Sequence, residues 1–83
     1  SMITVLFFAS LKEQLGCDRI DLPCANINTI NDIKQSLIVD KPQWSKWLLK
    51  PSLLCAKNCA VVNGNCPVIS GDEVAFFPPV TGG

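Results

Sequence analysis

Histidine is absent from the 83 residues, and with it the side chain most used as general base, proton shuttle and metal ligand. No serine or cysteine therefore has an imidazole to activate it, and no glycine-rich phosphate loop is present. The usual equipment of a hydrolytic or redox enzyme is missing. Charge is also scarce, at 17% of residues, with seven basic groups balanced by seven acidic ones. A formal net charge of zero without a basic patch argues against nucleic acid or an anionic membrane as partner. Long apolar runs are lacking too, each being broken by proline, lysine or asparagine, which excludes a transmembrane helix. The N-terminus has no basic segment ahead of an apolar one, so no signal peptide is expected and the cytoplasm is the expected location. Ser1 ahead of Met2 reads as a remnant of expression and carries no argument.

Cysteine is plentiful by contrast. Cys17, Cys24, Cys55, Cys59 and Cys66 are odd in number and contain no C-x-x-C pair. Without histidine or closely paired thiols no metal site is expected, and without a secretory signal no disulfide framework is expected either. They read as small apolar residues and free thiols of a reducing compartment, with Cys66 before Pro67 as the surface candidate.

At this length residues 1–83 form a single domain that buries about 60–65% of its unfolded surface, too little for a deep catalytic cleft. The run Ile3 to Phe8 is β-branched and aromatic and predicts a strand. Ser10 is placed to cap a short helix with Leu11 and Leu15 on one face, which Gly16 stops. Ile20 and Leu22 alternate with charges in a brief edge strand closed by Pro23. Thr29 with Asp32 makes a capping-box pattern at the head of the main helix, where Ile30, Ile33, Leu37 and Ile38 recur at helical spacing. Pro42 opens a shorter helix carrying Trp44, Trp47 and Leu48, and Pro51 ends it. Leu53 to Lys57, Ala60 to Asn63 and Val74 to Phe77 complete the strands, with Asn63-Gly64 as a turn pair. This order predicts an α+β fold of the β-grasp (ubiquitin-like) kind, a mixed sheet on one main helix with the first and last strands parallel at its centre.

Alternation divides the strands into faces. Ile3, Val5, Phe7, Val74 and Phe76 belong to the core, while Thr4, Leu6, Phe8, Glu73, Ala75 and Phe77 point away from it. Val61 is also expected outside, with Ala60 and Val62 inside. Phe8, Val61 and Phe77 would then form an exposed apolar patch, with Lys12, Lys57, Asp72 and Glu73 as charged rim contacts. A chain of 9.0 kDa has about 4,900 Å² of surface, so a contact of about 800 Å² accommodates one partner at a time.

The sequence closes on Pro78-Pro79-Val80-Thr81-Gly82-Gly83. Two prolines forbid both helix and ladder pairing, so residues 78–83 are expected as a stiff extended tail. Six residues reach at most ~20 Å, and the last two lack a Cβ, so Gly82 and Gly83 can thread a channel too narrow for other residues. The group presented is the α-carboxylate of Gly83. With an ordinary pKa near ~3.5 it is anionic and a poor electrophile, so chemistry there requires activation, most simply by adenylation.

The segment from Gly71-Asp72-Glu73-Val74 through Phe76-Phe77-Pro78-Pro79-Val80-Thr81-Gly82-Gly83, with Val5-Leu6-Phe7-Phe8-Ala9 at the other end, resembles the small subunits of molybdopterin synthases. The resemblance spans nearly the whole chain. It implies a ubiquitin-like sulfur carrier, not itself an enzyme, that holds no cofactor. In that family an E1-like enzyme uses ATP to adenylate the terminal glycine, and a sulfur donor system converts it to a thiocarboxylate. The tail then enters the large synthase subunit and gives its sulfur to cyclic pyranopterin monophosphate in molybdenum cofactor biosynthesis. The resemblance thus makes Gly83 the reactive position and Gly82 its clearance, with Phe8, Val61, Phe77, Pro78, Pro79, Val80 and Thr81 as partner contacts within a heterotetramer. The rival readings are a sulfur carrier of the thiamine-pathway or ubiquitin-related-modifier type, and an interaction module with an inert tail. Trp44, Trp47 and the cysteines match no functional feature of the family and read as core or surface filling.

Overall fold

A computed structural model of the protein describes residues 1–79. Strand β1 (Met2–Phe7) leads into α1 (Ala9–Leu15), β2 (Arg19–Pro23) and the main helix α2 (Ile30–Asp40). A single 3-10 turn (Pro42–Trp44) and the short α3 (Ser45–Leu48) follow, then β3 (Leu54–Lys57), β4 (Ala60–Val62) and β5 (Glu73–Phe77). The five strands form one sheet in the order β2-β1-β5-β3-β4. As expected, β1 and β5 are parallel neighbours in its interior, with Val5 opposite Val74 and Phe7 opposite Phe76. The other pairings are antiparallel.

The core is built where the sheet meets α2 and the turn after it. Ile3, Val5, Phe7, Val74 and Phe76 are buried from the sheet side, and Ile30, Ile33, Leu37, Trp44 and Leu48 from the helical side. Phe7 stacks on Phe76 with ring centroids 6.1 Å apart and meets the Trp44 ring edge-on at 5.5 Å. Trp44 is thus a core residue. Cys55 is buried among them, where burial pushes its thiol pKa up, and its Sγ donates to the Val62 carbonyl at 3.2 Å.

The head of α2 is closed by the capping box expected there. Thr29 Oγ1 accepts from the Asp32 amide at 3.3 Å, and Asp32 Oδ2 accepts from the amides of Asn28 and Thr29 at 2.9 and 3.0 Å. Two further first-turn amides, which a helix cannot satisfy internally, donate to the loop before β5: Asn31 to the Gly64 carbonyl and Ile30 to the Cys66 carbonyl. A Cβ at Gly64 would meet the Asn31 side-chain amide, which would have to swing aside to admit it.

Several expectations are corrected. Phe8, not Ser10, holds the N-cap position of α1, with no side-chain cap; the Phe8 amide still donates to the Phe76 carbonyl at 3.1 Å, and the chain turns into the helix at Ala9 with φ 56°. Leu11 and Leu15 are buried as expected, and Gly16 closes the helix in the left-handed conformation. Asn63-Gly64 forms the expected turn, its Asn63 Oδ1 accepting from the Asn65 amide at 2.9 Å, and leads from β4 into the loop before β5. The hairpin between β3 and β4 turns at Asn58-Cys59, the two residues between the expected strands, both with positive φ (49° and 73°). Ala60, expected inside, is exposed at the end of the outermost strand. Cys59 is the exposed thiol, whereas Cys66 is half-buried against the core.

Two outcomes follow from this packing. Phe76→Ala should cost about 3–5 kcal/mol of folding stability and Phe77→Ala far less, measured by denaturant unfolding; the reverse order would displace the face assignment by one residue. Asp32 and Asp72 both have folded pKa values held below the ordinary 3.8, Asp32 chiefly by the Asn28 amide and Asp72 chiefly by the Ile69 amide. Their stabilisation is complete above the unfolded pKa and disappears as pH falls through the lower folded one. Melting temperature should therefore drop below about pH 4, and less steeply in an Asp32→Asn, Asp72→Asn double variant.

Candidate docking face and tail root

The sheet face turned away from the helices is apolar over β5, β3 and β4 toward Phe77, and polar toward β2, where Thr4, Glu73 and the ion pair of Arg19 with Asp21 lie. On β5 it presents Ala75 and Phe77, flanked on β1 by Leu6 and on β3 by Leu54 and Ala56. Leu54 stands directly opposite Phe77, and Ala56 lies between Ala75 on one side and Val61 of β4 on the other. Val61 is 68% exposed, Phe8 48% and Leu54 37%, while Phe77 is half-buried by its neighbours. Ala56 is buried although it faces outward, because larger side chains rise around it.

Val61 and Phe77 therefore border one surface but do not form it alone, and Phe8 is exposed just past the end of β1, its amide on the Phe76 carbonyl. Leu54, Ala56 and Ala75 connect Phe77 to Val61, and Leu6 extends the surface toward β2. Leu54 and Ala56 were missing from the sequence reading. Extending the same alternation to β3, where buried Cys55 fixes the inner phase, would have found them.

The charged rim is smaller than expected. Lys57 shares its register position with buried Val74, so it lies on the helical side, and its Nζ donates to the Pro67 carbonyl at 2.9 Å. Asp72 accepts from the Ile69 amide at 2.8 Å and from Asn58 Nδ2 at 3.0 Å, so its carboxylate secures the turn into β5. Asn58 completes this lock: its Oδ1 accepts from the Glu73 amide at 3.0 Å and its own amide donates to the Glu73 carbonyl at 2.8 Å. These bonds hold the hairpin turn in its left-handed conformation and fix where β5 begins. Only Lys12 and Glu73 of the four remain exposed without such a bond among the described residues.

The tail starts from the far end of β5. Pro78 is half-buried and Pro79 exposed, both outside the ladder. Val80, Thr81, Gly82 and Gly83 lie outside the described residues. Among the described residues no cluster of three or more potential metal ligands occurs, and no helix is long and apolar enough to cross a membrane. What the described geometry offers is a broad apolar contact face with an extended strand leading off its edge.

Known proteins share this arrangement. The molybdopterin synthase sulfur carrier subunit of Escherichia coli K12 is 42% identical over 82 residues, which cover 99% of this chain and all of that one. SAMP1 from Haloferax volcanii has the same fold over the full length of both chains, with a TM-score of 0.80 at 24% identity. Subunit 1 or 2 in the protein complex of the Helicobacter pylori molybdopterin-converting factor matches over the full length of both chains, with a TM-score of 0.69 at 26% identity. The ThiS family model matches residues 5–83, and the chain belongs to the ThiS family.

Proposed function

We propose that the protein is the sulfur carrier subunit of a molybdopterin synthase. The reading is carried by the 42% identity to a subunit of that function over the whole of both chains. Family membership alone would also fit a thiamine-pathway carrier. In the proposed cycle the Gly83 carboxylate attacks the α-phosphate of ATP on an E1-like enzyme, releasing pyrophosphate. Hydrosulfide from the donor system attacks the acyl carbon of the adenylate, the C–O bond to AMP breaks, and Gly83 is left as a thiocarboxylate with AMP and a proton released.

That sulfur is then delivered to cyclic pyranopterin monophosphate within the large subunit. The carrier contributes no acid, base or pterin pocket of its own in this scheme; it is not an enzyme alone and holds no cofactor. Its physical contribution is reach and grip. The face around Phe77, with Phe8, Leu54 and Val61, supplies the contact, and Pro78 to Thr81 separate it from the reactive glycine. Gly82 gives clearance at the catalytic end. The assembly is a heterotetramer of two large subunits with a carrier at each end, in the cytoplasm, and enclosure of the tail protects the thiocarboxylate from water.

Incubation with ATP, the activating enzyme and a sulfur source should raise the intact mass by the difference between sulfur and oxygen, localised to Gly83. No mass change would favour an inert interaction module. One alanine added after Gly83 should leave thermal stability unaltered and abolish pterin sulfuration in a reconstituted assay, since no free carboxylate remains at the required reach. Phe77→Ala and Phe8→Ala should each weaken binding to the large subunit by about 1–3 kcal/mol, measured by titration calorimetry.

A further inference from the structure

Between Lys41 and Gly71 the chain carries four lysines and no acidic residue. Two of the four are engaged locally, Lys41 with Asp40 at 3.8 Å and Lys57 with the Pro67 carbonyl. The other two, Lys46 and Lys50, are exposed and make no ion pair among the described residues. Both ammonium groups lie over the half-buried Trp47 ring, at 5.2 and 4.8 Å from its centroid. Two like charges on one indole leave a local excess of positive potential that an anion would relieve.

Beside that ring is a cavity of about 140 Å³, close to the space known to take one benzene-sized group. Trp47 and Pro78 line it with apolar surface, and Lys50, Ser10, Ser52 and Gln14 line it with hydrogen-bonding groups; no acidic residue does. Its position ties it to the docking face. Phe77 belongs to that face and the next residue, Pro78, lines the cavity; on β3, Leu54 belongs to the face and the preceding Leu53 lines the cavity. The opening thus stands beside the face, at the residue from which the tail starts.

We propose that the cavity receives an acidic side chain of the large subunit, a glutamate or aspartate standing beside the cleft that encloses the tail. The inference rests on the sulfur-carrier reading. Its carboxylate would accept from Lys50 Nζ and the serine hydroxyls while its stem lies against Trp47 and Pro78. The contact is then a second, charge-selective anchor beside the apolar one, and it gives Trp47 and its two lysines a role in recognition.

The test compares the unaltered protein, a Lys46→Glu, Lys50→Glu double variant and Phe77→Ala, each titrated into the large subunit at low and high salt. Both lysines are exposed, so circular dichroism should show the double variant folded. At low salt it should bind about tenfold more weakly, the deficit shrinking to about twofold or less at high salt, as screening of exposed charges requires. Equal affinity of the double variant and the unaltered protein at both salts, with Phe77→Ala still weakened, would overturn the inference and leave the sulfur-carrier reading standing. A deficit independent of salt, or one confined to binding of the activating enzyme, would also overturn it. If the unaltered protein fails to bind the large subunit, both readings fall together.

Discussion

The parallel pairing of β1 with β5 is the constraint on which the rest depends. It joins the two ends of the sequence, Val5 to Val74, so that nearly the whole chain lies in the crossover between them. A parallel pair cannot be closed by a tight turn, and here the connection includes α2, which covers the inner face of the same two strands. Phe7 and Phe76, adjacent in register and stacked, turn that pairing into a packed core, with Trp44 closing the far side. The outer face of the same strands is left to Leu6, Ala75 and Phe77. The core and the outer apolar face are two sides of one ladder.

Charge and polar bonding finish the job at the edges. The capping box and the Gly64 and Cys66 carbonyls settle the amides at the head of α2, and Asn58 with Asp72 settles the entry into β5. Both devices tie segments distant in sequence through short bonds, so β5 is located from its first residue. An apolar surface can slide against a partner; a strand held at its start cannot shift its register, and the tail that follows inherits a defined origin.

How much of this was legible in the residues depended on how local the cause was. The first strand, read as Ile3 to Phe8 and found at Met2–Phe7, the capping box of Thr29 and Asp32, and the edge strand ending at Pro23 are written in neighbouring residues and their spacing. The place of the hairpin turn, Asn58-Cys59, was legible as the gap between the strands ending at Lys57 and starting at Ala60, but its left-handed backbone was not, because that is held by bonds to Glu73 and Asp72 some fifteen residues on. Asn63-Gly64 carries the stronger local signal and serves a different end, pressing a loop onto Asn31. Phe8, Val61 and Phe77 could be placed on one face by alternation, but Leu54 joins them only through the β3 register. The cavity beside Trp47 has no local signature at all, since α1, the residues around Lys50 and Pro78 meet there only in the folded chain.

The origin of the tail on an interior strand has a mechanical meaning. Traction applied through Pro78 acts along the axis of β5, which is bonded to β1 on one side and β3 on the other. The bonds of both ladders are then loaded together in shear, instead of being peeled apart one after another as at a sheet edge. Pulling at Pro78 therefore does not unravel the domain from that end.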